Sequence, residues 1–369
     1  MIYLKVRVVF LLAFLSFPAF SHYDDAYFHR ADDAFTYKKN WMASISDETW
    51  LSEMALPGTH DSGTYKMSGR PIVRTQVLTI KQQLEYGIRV LDIRVRHTGN
   101  KLAVHHGPVY LHLMFGEVIN QIDEFLQENP TETVLVRIAE EHKQDSNNTR
   151  DIRYTLKEYL NKSAHYLETS NENIKLGSAR GKFILLSANY YLGGINYGYF
   201  RAQDDYYLGT NWDLHNKWLK IKAHFDKAVK GYFGTFFINY LSGSGGTFPY
   251  FVASGHSSSE TSAPRLLTGL TTPGWKNSYP DFPRVSCFIG ICSIAFEGTN
   301  ILARDYIKRL NKPETGMAAI IGMINADTSE RTIGIVMADF PGESLIQAII
   351  DNNTLLKKRN VMLRQRIIN

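Results

Sequence analysis

The stretch that most constrains this chain is Ile88–Gly107, where two runs rich in Val, Ile and Leu flank Thr98-Gly99-Asn100. A turn signal between two apolar runs predicts a β-hairpin. Side chains alternate along a strand, so Leu91, Ile93 and Val95 share one face and Asp92, Arg94 and Arg96 the other. A charged strand face has two readings, a solvated sheet surface or the polar mouth of a barrel. The second run ends in His105-His106-Gly107 beside that charged face. Earlier, the short apolar run of Ala55–Gly63 ends in His60-Asp61 among turn residues. Strands that deliver His-Asp, Asp-x-Arg and His-His to their ends point to a catalytic site.

A chain of 369 residues can form one large domain or two ordinary ones. With 44% hydrophobic and 21% charged residues it is globular and can build a core. Residues 1–21 carry Lys5 and Arg7, an apolar run from Val8 to Phe17, and then Ala19-Phe20-Ser21. That order reads as a secretory signal peptide; the run is short for a membrane span, so an anchor is disfavoured. The expectation is an exported protein with a single domain over 22–369. Removing Lys5 and Arg7 with the signal takes the formal charge from +5 to +3, which gives no reason to expect nucleic acid as a target. Cys287 and Cys292 are no disulfide framework. In one continuous strand they would point to opposite faces, whereas a turn at Gly290 would bring them within bonding distance, and both arrangements stay open.

Along the chain, strands and helices alternate. Strands are expected at Met54–Leu56, Thr133–Ile138, Lys182–Ser187, Thr235–Tyr240 and Ile333–Phe340. Helical spacing covers Arg74–Tyr86, Leu113–Leu126, Arg150–Asn161 and Asp213–Gly231, with a last helix from Glu343. Ser242–Pro264, rich in Gly, Ser and Thr, reads as a mobile loop. This alternation implies an α/β barrel, whose working residues stand at the carboxyl ends of strands. His60, Arg94, His106 and Asp339 fit that position.

Two His, one Arg and supporting carboxylates suit in-line phosphoryl displacement without a metal. One His takes a proton from an attacking hydroxyl and the other protonates the leaving oxygen. A guanidinium binds two phosphate oxygens, and a carboxylate on a His nitrogen fixes its tautomer. Singly each residue says little. Together, Leu56-Pro-Gly-Thr-His-Asp-Ser-Gly63, Leu91-Asp-Ile-Arg94 and Val104-His-His-Gly-Pro108 resemble the motifs of bacterial phosphatidylinositol-specific phospholipase C. The resemblance continues through Asn173–Gly177, Arg180–Lys182, Gln203–Tyr206, Phe237–Tyr240 and Met337–Phe340, nearly the whole mature chain.

The resemblance implies a distorted, incompletely closed TIM-like (β/α) barrel. It implies His60 as general base on the inositol 2-hydroxyl, oriented by Asp339, and Arg94 as the phosphate clamp. It implies His106 as the acid for the departing diacylglycerol oxygen, assisted by Asp61, and Asp204 and Tyr206 as inositol-binding residues. The product would be a 1,2-cyclic inositol phosphate, hydrolysed slowly afterwards. Two departures bear on the head group. Where the family carries a Lys after the His-His hairpin, this chain reads Ile138-Ala-Glu-Glu-His142; where it offers an Arg on the next strand, this chain reads Leu186-Ser-Ala-Asn189. A glycosylated inositol lipid, a glycerophosphodiester, and a non-catalytic lipid-binding barrel therefore remain as alternatives. No metal or other cofactor is expected, because Arg94 puts a fixed cation where related barrel phosphodiesterases hold a divalent ion. The expected partner is a phosphatidylinositol-containing membrane surface, met by the protein as a monomer. Trp275, Tyr279 and Phe282 are candidate membrane contacts, since aromatics favour the lipid–water boundary. Phe248, Tyr250 and Phe251 in the preceding loop are further candidates. The basic stretch Leu355–Ile368 reads as a helix packed on the barrel or as a binder of anionic lipid. Asp92 and Arg96 are free to pair with each other or with Arg94, and His105 is left to packing.

Overall fold

The computed structural model describes residues 24–28, 35–231, 234–261, 263–312 and 332–356. The expected signal peptide at 1–21 and the basic stretch beyond Leu356 lie outside them. The strands are β1 (Leu56–Thr59), β2 (Val90–Thr98), β3 (Lys101–His106), β4 (Val109–Met114), β5 (Thr133–Glu140), β6 (Lys182–Ser187), β7 (Ile195–Asn196) and β8 (Arg201–Gln203). They continue with β9 (Tyr207–Leu208), β10 (Phe237–Tyr240), β11 (Ser244–Gly245), β12 (Leu267–Thr271), β13 (Arg284–Phe288), β14 (Ile291–Ala295) and β15 (Ile335–Ala338).

Eight of these pair in the order β7-β6-β5-β2-β1-β15-β10-β8, every neighbour parallel. Among the described residues β7 and β8 share no ladder, so the ring stays open there and the fold is a distorted TIM-like half-barrel. Inner and outer faces follow the alternation of each strand. Leu91, Ile93 and Val95 of β2 face outward and pack with Ile80, Leu84, Ile122 and Leu156 from surrounding helices. Val90 faces inward among Leu56, Leu135, Ile184, Tyr240 and Met337. The register runs Tyr240–Met337–Gly58–Val90–Leu135–Ile184 across six strands. Gly58 has to be small here, because a Cβ would lie 2.4 Å from Met337 Sδ and 3.0 Å from Val90 Cβ. One pleat nearer the carboxyl ends, the same inward face carries His60, Asp92, Arg137 and Asp339. The charged face of β2 is therefore the mouth of the barrel.

Three expectations are corrected. The helix foreseen over Arg74–Tyr86 is confined to Ile80–Glu85, where Thr79 and Gln82 form a reciprocal capping box. Residues 73–78 stay out of it because their polar groups are used at the mouth, as described below. The hairpin is a three-stranded meander: β4 follows Gly107 and pairs with β3, so the next helix begins at Phe115. Within the expected loop Ser242–Pro264, Pro249–Ser254 is a buried helix, with Tyr250 and Phe251 in the core and Phe248 partly exposed.

At the opposite end, Arg89 and Glu132 are both fully buried, with Arg89 Nε 2.9 Å and Nη2 2.6 Å from Glu132 Oε2. Arg89 also donates to the carbonyls of Leu84, Ile88 and Lys39, and Glu132 accepts from the Met42 amide. The pair pins the 38–42 segment under the barrel. Removing one partner strands a buried charge. Arg89→Met is expected to cost about 3–5 kcal/mol in urea unfolding, and Arg89→Met with Glu132→Leu distinctly less. Equal losses in the two variants would contradict this.

Candidate active site

β1 leads directly into His60-Asp61, and the turn they begin is held by side chains of the segment 73–76. Thr75 Oγ1 lies 3.1 Å from the carbonyls of both His60 and Asp61, and Gln76 Nε2 donates to His60 O and Ala338 O at 2.8 and 3.0 Å. Gln76 thus joins the ends of β1 and β15. Asp61 adopts a left-handed backbone, φ 43°, unusual for a residue with a Cβ and a form of strain found where a side chain must be aimed.

The result is a tight constellation. His60 Nδ1 is 2.8 Å from Asp339 Oδ1, and His60 Nε2 is 2.8 Å from Arg94 Nη2. Arg94 Nε is 3.0 Å from Asp61 Oδ1, while Arg94 Nη2 is 3.1 Å from Asp92 Oδ2. Asp61 Oδ2 lies between the two histidines, 3.3 Å from His60 Nε2 and 3.5 Å from His106 Nε2. His106 Nδ1 is 2.9 Å from the Val73 carbonyl. A carbonyl only accepts, so Nδ1 carries a proton and Nε2 is the nitrogen turned to the site. The five residues expected as catalytic stand together.

Burial works against an imidazolium at His60, but the charges of Asp61 and Asp339, with the Asp339 hydrogen bond, outweigh burial and Arg94 and lift its pKa to about 9. The Arg94 contact has the opposite demand, because a guanidinium only donates and needs a lone pair on Nε2. The geometry is that of the neutral base, with the remaining proton on Nδ1 facing Asp339. Burial would protonate Asp92, yet Arg137, Arg94 and His60 hold it far below the usual carboxylate range. Asp92 is therefore a buried, permanently charged anchor for two guanidiniums.

His60, Asp61 and Asp92 also bring ligand atoms within 4.8 Å of one another, close enough to share a cation. Both carboxylates of that trio are already joined to Arg94, and Asp92 to Arg137 as well. Asp92 pairs with Arg94 and Arg137 and not with Arg96, which binds Asp145 and the Lys143 carbonyl. His105 packs at 4% exposure against Tyr110.

Asp204 and Tyr206 follow β8 on the exposed rim, Tyr206 61% accessible. Of the aromatics proposed for lipid, Trp275 is 52% exposed, whereas Phe282 is 2% exposed, stacks on a half-buried Tyr279 and joins the core. Phe282 is a core residue because the loop folds back on the helix Leu214–Val229.

Two cations escaped the sequence reading. Arg137 stands opposite Asp92 in the register of β5 on β2, bonds Asp92 Oδ1, and lies 5.0 Å over the Tyr197 ring. An arginine inside an otherwise apolar parallel strand was the available signal. Lys217 is 1% exposed, its Nζ without a hydrogen bond among the described residues, on the stripe Leu214, Lys217, Trp218, Ile221 of its helix. Burial lowers its pKa to about 8 against the pull of Asp204, Asp205 and Asp339.

A half-open parallel barrel thus carries an imidazole–carboxylate pair, a second imidazole and a guanidinium at its carboxyl mouth, a set equipped for acid–base chemistry beside a bound anion. Residues 55–189 match the family described as phosphatidylinositol-specific phospholipase C, X domain. The 1-phosphatidylinositol phosphodiesterase of Listeria monocytogenes is 36% identical over 163 residues, which are 41% of this chain and 49% of the relative. That of Staphylococcus aureus strain Newman is 31% identical over 168 residues, 43% and 54% of the two chains. The chain spans about half the length of these curated relatives. The solved phosphatidylinositol-specific phospholipase C of L. monocytogenes superposes with a TM-score of 0.58 at 23% identity, covering 86% of this chain and 99% of that one. An S. aureus structure described as concerning modulation of membrane binding gives 0.57 at 21%, covering 86% and 97%. Over residues 55–189 the chain is thus similar to the X domain of phosphatidylinositol-specific phospholipase C, and its fold is that of the solved bacterial enzymes.

If Asp339 holds up the His60 pKa, Asp339→Asn lowers it toward the 6.5 of a free imidazole. The limb of kcat/KM that rises with loss of the His60 proton should move to lower pH, while kcat falls by about 10²–10⁴. An unmoved limb in the pH–rate profile would contradict the assignment.

Proposed function

We propose that this protein cleaves the phosphodiester of phosphatidylinositol, releasing diacylglycerol and inositol 1,2-cyclic phosphate, without a metal. The observation that carries this reading is the contact chain His60–Arg94–Asp61–His106, each link between 2.8 and 3.5 Å. An acid, a base and an anion clamp converge on one point at the barrel mouth, which binding alone does not require.

In this reading His60 Nε2 takes the proton of the inositol 2-hydroxyl while Asp339 holds Nδ1–H. The freed oxygen attacks phosphorus. Arg94 turns from His60 Nε2 to the phosphate oxygens and balances the charge that develops there. The bond from phosphorus to the glycerol oxygen breaks, and His106 Nε2–H protonates the departing oxygen, with Asp61 favouring the imidazolium. Hydrolysis of the cyclic product reverses the two histidine roles with water as nucleophile. Arg94 occupies the place of a divalent cation between Asp61 and Asp92, so activity persists in excess chelator. Asp204 and Tyr206 on the rim take ring hydroxyls and the ring face, and the leader at 1–21 exports the protein.

Arg137 supplies a head-group cation that neither Ala139 nor Ala188 can offer. Arg137→Gln is expected to raise KM for phosphatidylinositol more than it lowers kcat, and Arg137→Lys to recover part of the loss. A pure kcat loss in both variants would assign Arg137 to holding Asp92 alone.

The direct test is hydrolysis of phosphatidylinositol against phosphatidylcholine in EDTA, by wild type and His60→Ala. Cleavage of the inositol lipid alone, abolished in the variant, is expected. Cleavage that stops with chelator would overturn the metal-free reading. Cleavage of neither lipid would favour the alternatives, and glycosylated inositol lipids and glycerophosphodiesters come next, because Ala139 and Ala188 offer the head group no cation.

A further inference from the structure

Between the helix Pro249–Ser254 and the helix Thr299–Asn311 the chain forms a separate three-stranded antiparallel sheet, β12-β14-β13. Its base is fixed in the core by Ile294 and Phe296, 0% and 3% exposed. Its outer end is a hairpin, Cys287-Phe288-Ile289-Gly290-Ile291-Cys292, closed by a Cys287–Cys292 disulfide. Of the two arrangements left open by the sequence, the structure has the bridged turn.

The tip is unusual in composition. Phe288 is 75% exposed, Ile289 84% and Ile291 51%, and residues 285–296 contain no charge. The two turn residues, Ile289 and Gly290, both have positive φ, 46° and 76°. Such a turn favours Asn-Gly or Asp-Gly, and a β-branched residue in the left-handed region is disfavoured. Folding alone would select Asn at 289. An apolar residue held there in water, against both solvation and backbone preference, serves something outside the fold.

The finger also stands on the right side of the barrel. Thr299, just after its base, lies with Oγ1 3.0 Å from the Leu241 carbonyl, one residue past β10. Asn300 Nδ2 donates at 2.9 Å to the carbonyl of Asp339 itself. The finger therefore springs from the carboxyl mouth where the site opens. Beside the disulfide, Thr272 N donates to Cys292 O and Trp275 N to Thr271 O, both at 2.9 Å. This brings exposed Trp275 and Lys276 alongside the tip, an aromatic and a base of the kind that settle at a lipid headgroup boundary.

We propose that the Phe288-Ile289-Gly290-Ile291 tip is an anchor that enters the lipid surface next to the barrel mouth, with Trp275 and Lys276 at the headgroup level. The occupant is lipid because the apolar element is a convex tip. A fluid acyl layer admits it as it stands, whereas a protein partner would need a matching groove. The inference rests on the reading that the site acts on a lipid, and it names the surface that brings the mouth to its substrate.

The test pairs Phe288→Ser with Ile289→Ser, both at exposed positions, and uses Tyr37→Ser, exposed beneath the barrel, as control. Binding to phosphatidylcholine vesicles is measured in a His60→Ala background, so that partition is read whether or not the protein is an enzyme. The tip variant is expected to lose at least about tenfold in partition, from the apolar area no longer buried. The control should keep wild-type binding, and His60-intact tip variant should hydrolyse soluble inositol 1,2-cyclic phosphate at the wild-type rate. Unchanged partition in the tip variant would overturn the proposal. So would a wild-type dimer in light scattering that the tip variant breaks while still binding vesicles, since the tip would then be a contact between copies. Failure of the cleavage assay with loss of partition would remove the enzymatic reading and leave the anchor standing.

Discussion

Asp92 lies at the centre of the barrel mouth with 1% exposure, and two guanidiniums, Arg94 and Arg137, share its two oxygens. A carboxylate so buried is stable only when paired, and a guanidinium beside apolar strands has the same need. The neighbours follow from this triad. Arg94 is turned so that its remaining donors meet Asp61 and His60, and Asp61 in turn reaches His106. Asp92 also ties the backbone: its amide donates to Ser62 Oγ at 2.8 Å, and its carbonyl accepts from the Ser62 amide. The charged network and the turn that carries His60 are one structure.

Beneath this layer the barrel is apolar, and the change occurs within one pleat. Gly58, Val90, Leu135 and Met337 fill the interior, and the next inward positions on the same strands are His60, Asp92, Arg137 and Asp339. The low-dielectric floor strengthens each interaction above it. The extended segment 73–76 closes the layer from the side, offering Val73 O to His106 and binding the carbonyls of His60 and Asp61. It shows why a helix there would be lost to function: its amides and side chains are spent on the site.

The strand-end residues were legible because alternation and turn signals are local. His60, Asp61, Arg94, His106 and Asp339 each follow a short apolar run, so their face could be read from sequence order alone. Arg137 could not be ranked by that method, since its strand reads as buried and its partner Asp92 is set by the register of β5 on β2. Thr75 and Gln76 fell within a spacing that suited a helix equally well. The aromatics expected to meet lipid were chosen by composition, which does not separate Trp275 from Phe282; the fold of the loop decides, and it turns Phe282 inward. The apolar tip at Phe288–Ile291 resembles an ordinary buried strand until the third dimension exposes it.

The central claim is that two histidines and an arginine perform in-line displacement by the substrate's own hydroxyl. Phosphorus NMR of the products from phosphatidylinositol vesicles in excess EDTA tests it most directly. A cyclic phosphodiester signal that forms first and converts slowly to the monoester is the result expected. A monoester formed from the outset, with no cyclic species, would mean that water attacks directly and that His60 has another role.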